Sequence, residues 1–125
     1  MSDVVIKKCL NCGATVEVYD DCSCDDCGIR CCGVPMATLV PNSSDGAIEK
    51  HKPEVTVEDN LISVSVNHVM TPDHFIKSLI LKAGEFEFRK DFTPEDSPTA
   101  KFPYISGSKV YSLCNKHGLW VTDVL

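Results

Sequence analysis

Apolar and polar residues alternate through much of the second part of the chain. In Leu61-Ile62-Ser63-Val64-Ser65-Val66, the positions Ile62, Val64 and Val66 share one side of an extended backbone, and Glu85-Phe86-Glu87-Phe88-Arg89 repeats the pattern. A period of two is that of a strand with one face buried. Val55-Thr56-Val57, Phe75 to Leu81, Lys109 to Leu113 and Leu119 to Val124 add β-branched or aromatic runs, separated by Pro72, Ala83-Gly84, Pro94, Pro98, Pro103 and Gly107. No segment carries the spacing of a convincing helix. Six or seven short strands over roughly 80 residues predict an antiparallel β-sandwich of immunoglobulin-like type.

Before that stretch the pattern is different. Residues 1–37 have almost no long apolar periodicity, and seven of the eight cysteines fall within the first 32 residues. Below roughly 40 residues a domain buries too little apolar surface to hold itself together, and it relies on a metal, disulfides or a partner chain. Pro41-Asn42-Ser43-Ser44-Asp45-Gly46 is a cluster of turn formers that sits poorly inside a helix or a central strand. The chain therefore divides into a small Cys-rich, metal-stabilised domain at 1–37, a linker at 38–46 and a sandwich at 47–125.

Composition narrows the partners. With 43% hydrophobic and 24% charged residues the chain of 125 residues is of ordinary globular type. Its formal charge of -6 argues against nucleic acid, which needs clustered Lys and Arg. No apolar run approaches the roughly 18 residues of a membrane span, and Met1-Ser2-Asp3 does not begin a secretory signal. A cytoplasmic protein is expected. In a reducing compartment, thiols in Cys-x-x-Cys spacing hold metal more often than they form disulfides.

Cys9-Leu10-Asn11-Cys12-Gly13 has the spacing of a metal knuckle, with Gly13 permitting the tight backbone. Cys31-Cys32-Gly33 supplies two more thiols, and Gly33 and Pro35 favour the bend that lets adjacent cysteines share one ion. Four thiolates suit iron or zinc. Between the pairs lie Cys22, Cys24 and Cys27 among four aspartates, either as a loop that takes up metal loosely or as ligands of an iron–sulfur cluster. The histidines number four: His51, His68, His74 and His117. The parity of Ile62, Val64 and Val66 carries on to place His68 inward, and His74 returns toward it after Pro72. Cys114 and His117 stand three residues apart, close enough to bind one ion across a turn.

In these residues the chain resembles the desulfoferrodoxins, which are two-iron superoxide reductases. Cys9-x-x-Cys12-Gly13 and Cys31-Cys32-Gly33-Val34-Pro35-Met36 look like a desulforedoxin domain. Asp45-Gly46-Ala47-x-Glu49-Lys50-His51-x-Pro53, His68-x-Met70-x-x-x-His74 and Cys114-Asn115-x-His117-Gly118-x-Trp120 look like the catalytic domain, neelaredoxin. The resemblance implies an equatorial square of His51, His68, His74 and His117 around a mononuclear iron, with Cys114 axial and a sixth position open. It implies one-electron reduction of superoxide to hydrogen peroxide, with Lys50 attracting the anion and Glu49 closing the sixth position at rest. Cys9, Cys12, Cys31 and Cys32 would hold a second iron, with an iron–sulfur cluster or zinc as alternatives. A small electron donor such as a rubredoxin and a homodimer are the implied partners. Two positions depart from the family pattern: Val69 stands where a proline usually follows the second histidine, and the stretch holding Cys22, Cys24 and Cys27 replaces a short glycine-rich turn. Two other functions fit parts of the sequence, a zinc-binding structural or sensor module and a rubredoxin-like electron carrier.

Overall fold

The protein is described by a computed structural model over residues 3–21, 28–43 and 48–124, apart from the Glu49 side chain. Cys22, Cys24 and Cys27 lie outside the described residues, as do Asp45, Gly46 and Ala47. The chain forms two compact units that divide between Leu39 and Val40.

The first unit has five short strands: β1 (Ile6–Lys8), β2 (Thr15–Glu17), β3 (Arg30–Cys31), β4 (Val34–Pro35) and β5 (Ala37–Thr38). They form an antiparallel sheet in the order β2-β1-β5 and a separate hairpin of β3 and β4. Among its described residues the buried apolar ones are few, namely Val4, Ile6, Cys9 and Met36. Cys31 pairs with Val34 across a two-residue turn in which Cys32 (φ 55) and Gly33 (φ 75) are both left-handed. That conformation belongs to the tight hairpin turn whose twist matches its strands. It is the bend that brings two adjacent thiols toward one point.

The second unit begins with a one-turn helix, α1 (Ile48–His51), and continues with β6 (Glu54–Glu58), β7 (Leu61–Ser65), β8 (Ile76–Ala83), β9 (Phe86–Asp91), β10 (Thr99–Pro103), β11 (Lys109–Cys114) and β12 (Gly118–Asp123). Two antiparallel sheets, β10-β7-β6 and β12-β11-β8-β9, make the expected sandwich. Ile62 and Val64 from β7, Ala100 and Phe102 from β10, Leu79 and Leu81 from β8 and Val110 from β11 meet in one apolar cluster. Each such side chain contributes about 1.5–3 kcal/mol by leaving water. Cys114, 1% exposed, closes one end of this cluster.

Three elements differ from the sequence expectation. β9, expected from its alternation to bury one face, is exposed at all six residues, since no second sheet among the described residues covers it. α1 is four residues long, shorter than any period a sequence can display. β10 lies between Pro98 and Pro103, where prolines predict a break. It is an edge strand, so Pro103 at its end removes no ladder bond that the sheet requires. Its alternation of Ala100 and Phe102, both buried, is the core-facing period of two.

Candidate metal centres

At one end of the sandwich three segments converge. α1 delivers His51, the chain beyond β7 delivers His68 and His74, and the β11–β12 hairpin delivers Cys114 and His117. One ligating atom from each of these five residues lies within 4.8 Å of all the others. Adjacent imidazole rings stand 4.7 Å (His51–His68), 4.5 Å (His68–His74), 4.8 Å (His74–His117) and 4.7 Å (His51–His117) apart, inclined at 75–88° to one another. The diagonal pair His51 and His74 is 6.0 Å apart and tilted by only 34°. Four rings therefore surround one point as a square, each turned nearly edge-on to the next.

Local geometry explains the convergence. Cys114 pairs with Gly118 (φ 76) across a three-residue loop, a left-handed position that suits glycine. The β11–β8 register slips between Leu113 and Cys114, the kind of irregularity that re-aims a side chain beside a site. The loop from His68 to His74 is closed by paired backbone hydrogen bonds of 3.0 Å between Thr71 and His74, so Val69 in place of a proline does not prevent the return. Asn115 ties that loop to the hairpin, accepting from the Phe75 N–H at 2.9 Å and donating to the Asp73 carbonyl at 3.0 Å.

The ring atoms present themselves as donors. His68 Nδ1 meets the Val69 carbonyl, which can only accept, so Nδ1 holds the proton and the Nε2 lone pair faces Cys114 Sγ at 3.4 Å. Burial, with smaller contributions from neighbouring imidazoles, lowers the His68 pKa, although the Val69 carbonyl opposes it, and burial likewise lowers that of His74. Both shifts favour the neutral ring, the form that ligates. His51 Nε2 and His74 Nε2 stand 2.9 and 3.1 Å from His117 Nδ1. Two imidazole nitrogens bound at right angles to one ion through bonds of about 2.1 Å are roughly 3 Å apart. The nitrogen-rich set with one thiol suits a first-row transition metal such as iron. The His117 backbone N–H donates to Cys114 Sγ at 3.4 Å, which favours the thiolate.

Cys9, Cys12, Cys31 and Cys32 form a second group, their sulfurs also within 4.8 Å of one another. The Cys12 N–H donates to Cys9 Sγ at 3.5 Å, and Cys12 and Cys31 sulfurs are 3.5 Å apart. The N–H of Cys12 lowers the Cys9 thiol to about 6, against the opposing effect of burial, whereas hydrogen bonding to Cys12, Cys9 and Cys32 raises Cys31 to about 12. Four thiols this close cannot all ionise unless a cation compensates them, which is the condition a four-thiolate metal site meets.

Lys50 is exposed on α1, next to His51. Glu49 lies in the same turn, with its side chain outside the description. Sequence reasoning singled out every member of both groups but not the residues that hold them. Trp120 stacks on His51 with ring centroids 5.0 Å apart and planes 25° apart, and its Nε1–H donates to the His117 carbonyl at 3.0 Å. Ser112 donates to the His51 carbonyl and Thr122 to that of Pro53. Trp120 and Asn115 stood within a quoted motif. Ser112 and Thr122 gave no signal, because a hydroxyl on a strand looks the same in sequence whatever lies opposite.

Known proteins show the same pattern. Residues 43–123 match the family described as desulfoferrodoxin. A desulfoferrodoxin of Clostridium acetobutylicum is 37% identical over 126 residues, covering 98% of each chain. One of Syntrophotalea carbinolica is 40% identical over 122 residues, covering 94% of each. The superoxide reductase from Treponema pallidum shares the fold, with a TM-score of 0.72 at 22% identity over 97% of this chain and 99% of that one.

Proposed function

This chain belongs to the desulfoferrodoxin family, and from that premise we propose that it is a superoxide reductase whose catalytic iron is held by His51, His68, His74, His117 and Cys114. The observation that carries the reading is the square of four imidazoles, each steeply inclined to its neighbours, closed by one buried thiol. An iron held there supplies the electron in O2•− + e− + 2 H+ → H2O2. The chain contributes four imidazoles, one thiol that accepts from the His117 N–H, and a local positive charge. That charge matters because a chain of formal charge -6 repels an anion. Lys50, exposed beside His51, offsets the repulsion where it counts, by the steering that concentrates a charged substrate at a site. Glu49, in the same turn as His51, would supply a carboxylate that an iron held there can take as a further ligand.

In the same reading Cys9, Cys12, Cys31 and Cys32 make the first unit a desulforedoxin-like iron domain, and the sandwich is the neelaredoxin-like catalytic domain. The electron donor is a small redox protein such as a rubredoxin. The five described cysteines are not disulfide-bonded, which fits a cytoplasmic setting. No helix among the described residues is long and apolar enough to cross a membrane.

Iron, zinc and acid-labile sulfide per chain, with product stoichiometry, test the reading. Two irons, no sulfide, and one hydrogen peroxide per superoxide without oxygen release are expected. A colourless protein holding only zinc overturns it, and sulfide in excess over chains assigns the first centre to a cluster. Lys50→Ala should slow the second-order reaction with superoxide several-fold, and the deficit should shrink as salt screens the wild-type charge. An equal rate at low salt removes Lys50 from the mechanism.

A homodimer is also proposed, formed through β9. This outer strand exposes all six residues, including Phe86 and Phe88 on one face. Antiparallel pairing with a second copy about Phe88 would set Glu87 opposite the partner's Arg89, satisfying an otherwise open edge. Sedimentation velocity of the iron-loaded protein should show a dimer that Phe88→Asp converts to monomer; a wild-type monomer at all concentrations excludes it.

A further inference from the structure

Trp120 touches two of the five donor residues in two different ways. Its indole lies on the face of His51, 5.0 Å between centroids and 25° between planes, and its N–H bonds the carbonyl of His117 at 3.0 Å. His51 and His117 are 66 residues apart in the chain. The indole is 1% exposed. On β12 it stands opposite Ser112 of β11, whose hydroxyl holds the His51 carbonyl, and Thr122, on the same face, holds that of Pro53. The backbone beside His51 is thus pinned by two hydroxyls, and the ring itself by the indole. The torsion that turns an imidazole about its bond to Cβ is broad and soft. A flat surface against one face of the ring confines it, so that Nε2 remains turned toward His117 Nδ1.

We infer that Trp120 is a positioning residue for the histidine–cysteine centre, setting the plane of His51 by stacking and the placement of His117 by its hydrogen bond. The inference deepens the proposed function and rests on the assignment of these five residues as metal donors. Groups that orient metal ligands typically cost 10–100-fold in metal affinity when removed. A residue that merely fills the core changes stability without changing the electronic signature of the centre.

The test uses the full chain loaded with iron and reads two quantities besides activity: the thiolate-to-iron absorption band and the rate of iron release from this centre to a chelator. Trp120→Leu removes both contacts and should displace the band and raise release by about 10–100-fold. Trp120→Phe keeps an aromatic face and loses only the N–H, so it should shift the band with release between wild type and Trp120→Leu. Leu119→Ala, from a buried neighbour on the opposite face of β12, controls for destabilisation and should leave the band in place. Wild-type band and release in Trp120→Leu overturn the inference, as does an equal band displacement in Leu119→Ala. If Trp120→Leu does not fold, Trp120→Phe decides, and an unshifted band with wild-type release overturns the inference. Cys114→Ser in the wild-type background should abolish the band. A band that persists there overturns the assignment of the centre, and the positioning role with it.

Discussion

Cys114→Ser is expected to abolish superoxide reduction while leaving the Cys-rich unit loaded with metal. Cys114 is the one donor of its group that carries negative charge when it ligates, and it is 1% exposed at the end of the sandwich core. Serine nearly matches its volume, so the strand and its hairpin survive. The serine hydroxyl stays protonated at neutral pH and is a poor ligand for iron where a thiolate is a good one. Because even groups that only orient ligands cost 10–100-fold, loss of the thiolate itself should lower the second-order rate with superoxide by at least about a hundredfold. Iron should fall from two per chain toward one, with the visible band of the remaining four-cysteine centre unchanged. Rapid-mixing or pulse-radiolysis decay of superoxide reads the first quantity and metal analysis the second. Wild-type decay in this variant would return the chain to the class of simple electron carriers, for which Cys114 is dispensable.

Cys9→Ser should unfold the first unit and spare the second. Cys9 is fully buried, and its neighbourhood is organised around it: its N–H reaches the Ala14 carbonyl, its carbonyl accepts from Gly13 and its sulfur from Cys12. Few other apolar residues are buried among those described between Asp3 and Leu39, so metal coordination supplies what the core lacks. Hydrogen exchange should show β1 amides losing protection by orders of magnitude, while β8 and β11 exchange as in the wild type. Protected β1 amides in a variant without metal at this site would show that the unit folds on its own packing. In that case the four cysteines would serve electron transfer alone.

Much of this architecture was legible from local pattern. Ile62, Val64 and Val66 alternate because one face of β7 and of the residue just beyond it must leave water, and the same residues appear buried in the core cluster. The four histidines and Cys114 were legible as a set because their residue types are scarce and chemically specific. β10 was harder to read, since two prolines obscured a short alternation that only its edge position makes tolerable. α1 was too short to produce a period at all.

What sequence alone determined was identity: which side chains can ligate, which faces are apolar, and where glycine or a turn must sit. What only the tertiary structure decided was arrangement. The perpendicular rings of His51 and His117, the indole of Trp120 lying on one and bonded behind the other, and the clamp of Asn115 on Asp73 and Phe75 all join residues more than 35 positions apart or set the angle between them. Ligand chemistry is a property of the residue and can be read one position at a time. Ring orientation depends on contacts between distant segments, which come into being only when the two sheets close around their core.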